Sequence, residues 1–231
     1  MPTVETWDIY DPTLPLAGIR YADIKARMLL VGLGDGQLLA VSPGTIDDAA
    51  FAEVDKWGKV TWLLAPNHFH WWGLSIWKKR YPDVRVVAHP NALPGLRKKV
   101  KGLEIGDVAD LKAVLPKHVK LHHPPSAKQG ETWVQVQMTT GRALFVTDGI
   151  INEQRLPRPP VGWIMKLLGF REELMTNPAF KRFFLRDKEE YKAWVAALLQ
   201  NEPPTYYIPA HGQSFHGPGT ASRLSAANAL A

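Results

Sequence analysis

Two histidines one residue apart, His68 and His70, lie in the stretch LLAPNHFHWWGL from Leu63 to Leu74, behind an apolar run and ahead of two tryptophans. Two further apolar runs also end in metal-capable residues: ALFVT is followed by Asp148, and YYIPA by His211. Neutral imidazole nitrogens and carboxylate oxygens bind zinc, manganese or iron at about 2.0–2.2 Å, and an open position on such an ion holds a water whose pKa falls towards about 7. The chemistry on offer is hydrolysis by an activated water. Asp148 makes the strongest individual case, because a carboxylate placed directly after ALFVT is costly to bury unless a metal, a cation or several donors meet it. The chain has no cysteine, which excludes disulfides and thiolate metal sites, so any ligand set must be nitrogen and oxygen.

Each candidate needs an element to position it. IKARMLLVGLGDGQLLAVSPG holds two apolar runs around Gly34-Asp35-Gly36, and reads as a β-hairpin because Asp-Gly supplies the positive backbone angles of a tight turn. TIDDAAFAEVDKWGKV predicts a short amphipathic helix, with Thr45 as N-cap, Asp48 three residues on, apolar Ile46, Ala50, Phe51 and Val54, and Gly58 as the stop. KVTWLLA then predicts a buried strand, which puts His68 and His70 on a strand-to-helix loop, where α/β proteins place their chemistry. LSIWKKRYP reads as a helix ended by Pro82, VRVVAHP as another buried strand, and the stretch to about Val100 as helical or mixed.

A second β-rich unit follows: VKLHH, ETWVQVQMTT, a turn at Gly141-Arg142, and the strand that delivers Asp148. DKEEYKAWVAALLQ is a helix capped by Asp187, with Tyr191, Trp194, Val195, Leu198 and Leu199 on one face. TYYIPA is the last strand, ending at His211, and a small-residue helix follows it. Between these, RLPRPPVGWIMKLLGFREELM marks a helical insertion over about residues 150–186 that packs over the scaffold or the site. Its segment GWIMKLLGF, about two to three turns, suits a lid or core element, with contact to a membrane or partner as the alternative.

In this order, each after an apolar run, His68, His70, Asp148 and His211 resemble the ligands of the metallo-β-lactamase superfamily, over about residues 27–215. The resemblance implies an α/β (α+β) fold, a four-layer αβ/βα sandwich of two mixed sheets flanked by helices, formed as one domain over residues 1–231. The family's first motif reads His-x-His-x-Asp-His. His68 and His70 match its first two histidines, Asp148 matches the later aspartate, and His211 in AHG matches the final histidine.

Where the family has aspartate and histidine, this chain has Trp72 and Gly73, and counting back from Gly130 puts Ala127 where the family's third histidine stands, with His122 or His123 as substitutes if the loop is shifted. In the two-metal family site the motif aspartate binds the second metal and orients the water. Trp72 can do neither. The matched residues imply one divalent metal at most, zinc or else manganese or iron, held by His68, His70, Asp148 and His211, with Asp148 also as proton acceptor. The alternative is a scaffold without metal, in which His68 and His70 bond to backbone and the tryptophans fill the vacated space.

Trp72, with Trp71, is a candidate for stacking on a flat substrate, core filling being the alternative. Lys128, beside the altered third position, is a candidate for an anionic group, or else a solvated lysine. His89 and His118 read as structural or exposed, and His216 as a support for His211 or a surface residue.

With 231 residues and 45% hydrophobic content the chain can bury one substantial core, and nine tryptophans and 19 prolines argue against a helical bundle or a disordered chain. The formal charge of +6 would draw anionic substrates, acidic membrane surfaces or nucleic acid. The basic residues are scattered, however, without a stripe of interleaved aromatics, so a small-molecule substrate is expected and nucleic acid is not. No stretch has the apolar length of a membrane span and the N-terminus lacks a secretory pattern, so the expected compartment is cytoplasmic. The expected function is a metal-dependent hydrolase of an ester, lactone, thioester or phosphoester, with a non-catalytic binding protein on the same scaffold as the alternative.

Overall fold

A computed structural model of the chain describes residues 6–21 and 26–229. The described residues form two compact units, one reaching to Lys120 and including Met138–Thr140, the other covering the remainder. Each carries a large mixed sheet with helices.

In the first unit the sheet has seven strands among the described residues: β1 (Asp8–Asp11), β2 (Leu16–Tyr21), β3 (Ala26–Gly34), β4 (Gln37–Val41), β5 (Lys59–Ala65), β6 (Arg85–Ala88) and β7 (Gly106–Asp107), paired in sequence order. Strands β1 to β4 run antiparallel, and β4 to β7 parallel. The helices α1 (Asp48–Trp57), α2 (Leu74–Arg80) and α3 (Leu93–Lys99) make the crossovers that parallel strands require, and α4 (Val108–Lys112) follows β7. The β3–β4 hairpin turns where expected, with Asp35 and Gly36 at φ of 49° and 69°. Its core gathers Met28 and Leu30 of β3, Leu63 of β5, Phe51 and Val54 of α1, and Trp77 of α2.

The helix cap differs from the sequence expectation. Asp47, not Thr45, caps α1: its backbone is extended and its carboxylate accepts from the Ala50 N–H at 2.7 Å. An aspartate set directly before the first turn satisfies an orphan donor and favours the positive end of the helix dipole, which outcompetes the threonine two residues earlier. Strands β1 and β2 were not expected either, since DIYD and LAGIRY lack a run long enough to announce a strand.

The second unit holds β8 (Val119–His122), β9 (Trp133–Met138), β10 (Gly141–Val146), β13 (Tyr206–Pro209) and β14 (Phe215–His216), with the sheet order β14-β13-β10-β9-β8. Strand β10 starts at Gly141, so Thr139 and Thr140 make the turn that the sequence suggested for Gly141-Arg142. Between β10 and β13 lie β11 (Ile150–Asn152), α5 (Val161–Leu167), β12 (Leu174–Thr176), a π-helical turn (Phe180–Phe184) and α6 (Lys188–Asn201); α7 (Thr220–Ala229) comes last. Residues 150–186 are thus not simply helical: β11 and β12 pair antiparallel through Ile150↔Thr176 and Asn152↔Leu174. Asp187 caps α6, whose Tyr191, Val195 and Leu199 are buried with Trp133, Phe180 and Tyr207. No helix among the described residues is long and apolar enough to cross a membrane.

Candidate functional site

In the first unit His68 and His70 occupy the loop between β5 and α2, as the apolar run KVTWLLA implies. His70 is 3% exposed, and its Nδ1 lies 2.7 Å from the Ser42 Oγ, which in turn lies 3.2 Å from the Tyr21 hydroxyl. Ser42 adopts a φ of 55°, a conformation rare outside glycine, and its N–H donates to the Leu64 carbonyl at 2.9 Å. When Nδ1–H donates to Ser42, Nε2 keeps the lone pair that a metal requires, which is how hydrogen-bond partners fix the tautomer of a ligating histidine. Ser42 and Tyr21 escaped the sequence reading. The only local signal is Ser-Pro-Gly directly after a strand.

His68 turns to a different neighbour. A Cβ at position 95 would meet the His68 Cβ at 2.8 Å and its Nδ1 at 3.0 Å, so Gly95 is what lets the imidazole lie against α3. Lys99 of that helix donates to the His68 carbonyl at 3.0 Å, and the Asn67 carboxamide oxygen accepts from the Phe69 N–H at 2.7 Å, closing the turn between the two histidines.

Trp71 and Trp72 stack with ring centroids 4.7 Å apart and planes 16° apart. Trp71 packs against the core, but Trp72 is 47% exposed and does not fill an interior space. Gly73 has a stricter reason to be glycine. A Cβ there would sit 2.4 Å from the Pro43 carbonyl oxygen and 2.5 Å from that of Gly44, while the Gly73 N–H donates to Pro43 at 2.9 Å and the Trp77 Nε1–H donates to Gly44 at 2.8 Å. Position 73 has no room for a histidine.

In the second unit Asp148 and His211 are brought together by strand register. Strands β10 and β13 pair in parallel with Val146 beside Pro209, and two residues further along each chain stand Asp148 and His211. The Asp148 Oδ1 lies 3.1 Å from the His211 Nε2, with the side chains 15% and 26% exposed respectively. Burial pushes the His211 imidazolium down in pKa, but the hydrogen bond and charge of Asp148, backed by the charges of Glu153 and Glu131, raise it above the ordinary histidine value. The loop that carries His211 is fixed from behind: the Asn152 N–H donates to the His211 carbonyl at 3.0 Å, and Gly212, at φ 98°, leaves no space for a Cβ against the Asn152 carbonyl.

Asp148 is held by a residue the sequence reading passed over. Glu131 is 1% exposed, and its Oε1 accepts from the Thr147 hydroxyl at 2.7 Å, from the N–H groups of Asp148 and Gly149 at 2.8 and 3.0 Å, and from the Trp133 indole at 3.2 Å. A buried carboxylate facing four donors fixes the turn after β10, and so the direction in which Asp148 leaves it.

The remaining candidates have the following neighbours. Ala127 is buried in the apolar core and has no ligand atom to offer. His122 Nε2 lies 2.6 Å from the Gln135 Oε1, and His123 Nδ1 lies 3.1 Å from the Thr132 hydroxyl. Lys128 is exposed, with its Nζ donating to the Phe183 carbonyl at 3.2 Å. His216 is exposed and stacks on Tyr206, His118 bonds to the Gly32 carbonyl, and the His89 ring accepts from the Asn91 N–H.

No protein-family profile matches the sequence, and no curated protein matches it. Solved structures do match the fold. A metallo-β-lactamase from Pontibacter korlensis is 10% identical with a TM-score of 0.62, covering 98% of this chain and 100% of its own. The metallo-β-lactamase FIM-1 from Pseudomonas aeruginosa, in its mono-zinc form, is 13% identical with a TM-score of 0.62, covering 98% and 95%. The DIM-1 metallo-β-lactamase exposed to ceftazidime is 10% identical with a TM-score of 0.61, covering 98% and 97%. Across nearly its whole length, the chain has the metallo-β-lactamase fold.

Proposed function

We propose that the chain is a metal-dependent hydrolase of the metallo-β-lactamase superfamily, and that one divalent ion, zinc in the simplest case, is held by His70, Asp148 and His211. The observation that carries this reading is the Asp148–His211 pair at the ends of adjacent parallel strands, within a fold whose neighbour FIM-1 is described in a mono-zinc form. The donor set fits such an ion: two imidazoles and a carboxylate, all nitrogen and oxygen, with the His70 tautomer governed by Ser42. Here His68 supports the loop rather than the ion, because its ring lies on α3.

A divalent ion in this setting supplies Lewis acidity and brings the pKa of water towards about 7. The chain's own residues do the positioning. Ser42 and Tyr21 orient His70, Glu131 aims Asp148, and Asp148 takes up a proton during turnover. The exposed, stacked Trp72 offers a flat face to a small-molecule substrate, an ester, lactone, thioester or phosphoester, and the exposed Lys128 is the candidate for an anionic group. A non-catalytic binding protein is the second reading, and Trp72 and Gly73 favour it, because the family residues that bind a second metal and orient water are both replaced.

Metal content of protein purified without chelators, measured for wild type and His70→Ala alongside a panel of chromogenic esters, lactones and phosphoesters, separates the readings. The hydrolase reading expects metal in the wild type and turnover that falls with the metal in the variant. Bound metal without turnover supports the binding protein, and a wild type that neither carries nor takes up metal removes both metal and enzyme.

A further inference from the structure

We propose that α5 and the basic cavity at its C-terminal end form a peripheral docking surface for an anionic lipid bilayer. Rather than a core element, α5 is an apolar helix standing in water: Val161, Trp163, Ile164, Leu167 and Leu168 are all exposed, Trp163 by 65% and Leu167 by 87%. Phe183 on the π-helical turn is 55% exposed as well. Single exposed apolar side chains are ordinary, but a helix that presents a tryptophan, an isoleucine and two leucines together marks an interaction surface.

Charge identifies what covers it. The end of α5 at Leu168 lines a cavity of about 420 Å³ together with Arg171, Lys181, Arg182 and Lys188, against the single carboxylate of Glu173. Residues 150–188 carry eight lysines and arginines against four acidic residues, so one sixth of the chain holds +4 of its formal +6. A second copy of the chain would bring the same positive field to this face and be repelled. An anionic bilayer supplies both halves of the match, hydrocarbon for the tryptophan and leucines and phosphate-bearing headgroups for the cations. The geometry is that of a helix lying in the interface, since α5 is too short to span a membrane.

Co-sedimentation with vesicles tests this. The full chain is mixed with vesicles of phosphatidylcholine alone, or of phosphatidylcholine with roughly a third phosphatidylglycerol, at about 0.1 M salt. Two double variants are compared, Trp163→Ser with Leu167→Ser and Arg182→Gln with Lys188→Gln; all four side chains are exposed, and circular dichroism verifies that the variants are folded. Wild type is expected on the anionic vesicles and not on the neutral ones, with partitioning weakened about tenfold or more in either variant and lost at high salt. No binding to anionic vesicles, or binding that both folded variants retain, overturns the proposal. So does a dimer in solution that the Trp163/Leu167 variant dissociates while wild type ignores vesicles, which would assign the face to a second copy.

Discussion

Gly73 and Pro43 approach so closely that a Cβ on residue 73 would stand 2.4 Å from the Pro43 carbonyl oxygen. The absence of the last motif histidine is therefore built into the backbone, which fills the space that side chain would need. The neighbouring Trp72 is under no such constraint, being 47% exposed and in contact with Trp71.

Restoring the family residues should consequently fail at one position and succeed at the other. Gly73→His is expected to destabilise the fold by at least about 2 kcal/mol in urea unfolding, since the Pro43 and Gly44 carbonyl groups must move. Trp72→Asp should cost only about 1 kcal/mol, the value of a partly exposed aromatic contact. The double variant should bind no second equivalent of zinc by calorimetric titration. A second equivalent bound with unchanged stability would show that the space is not closed.

Under the proposed function, Ser42 tunes metal binding through the His70 tautomer. Ser42→Ala removes the partner of Nδ1, and zinc affinity measured by chelator competition near neutral pH should fall about 10- to 100-fold. Tyr21→Phe, one hydrogen bond further away at 3.2 Å, should have a smaller effect in the same direction. Equal affinity in all three proteins would separate Ser42 from the site.

Glu131 is expected to dominate the stability of the second unit's strand-end turn. Glu131→Ala strands the Thr147 hydroxyl and the Asp148 and Gly149 N–H groups in the interior and should cost about 3–5 kcal/mol in chemical denaturation. Glu131→Gln keeps an acceptor oxygen and should cost about 1–2 kcal/mol. A loss below about 1 kcal/mol for the alanine variant would mean that water replaces the carboxylate freely.

The frame of the site was legible in the sequence where local signals agree. The run VTWLLA announced the strand before His68, the Asp35-Gly36 pair announced the hairpin, and Asp187 announced α6. The register that sets Asp148 beside His211 was not legible, because nothing in either apolar strand names the strand it pairs with. What remained illegible rests on contacts between distant residues: Ser42 is 28 residues from His70 and Glu131 is 17 from Asp148. Nothing in GETW says that its carboxylate turns inward, because acidic side chains are usually solvated and only the tertiary fold supplies four donors to one oxygen. Gly73 looked like a lost ligand, and its close approach to Pro43 could be seen only once both loops were placed.

Asp11 gives the first unit an acid-sensitive tie. Its Oδ1 accepts from the Thr13 N–H and hydroxyl at 2.9 and 2.7 Å, and its Oδ2 from the Thr139 N–H and hydroxyl, both at 3.0 Å. Burial pushes its pKa up, but these bonds outweigh it and hold the carboxyl well below the ordinary aspartate value. A depressed folded-state pKa means that the stabilisation is complete above the unfolded value of about 3.9 and is lost as pH falls through the folded one. Asp11→Asn should lower stability at neutral pH by about 1–3 kcal/mol and flatten its dependence on pH below about 4. Unfolding curves for the two proteins that stay parallel from neutral to acidic pH would contradict this.

The proposed hydrolase requires one metal held by His70, Asp148 and His211, from the loops that follow β5, β10 and β13. Its most direct test is metal stoichiometry by mass spectrometry of native protein, for wild type and for His70→Ala, Asp148→Ala and His211→Ala, after equilibration with zinc and removal of excess. One zinc per wild-type chain is expected, with none retained by any of the three variants. Two zinc ions per wild-type chain, no zinc at all, or one zinc retained when any of the three ligands is removed would contradict it.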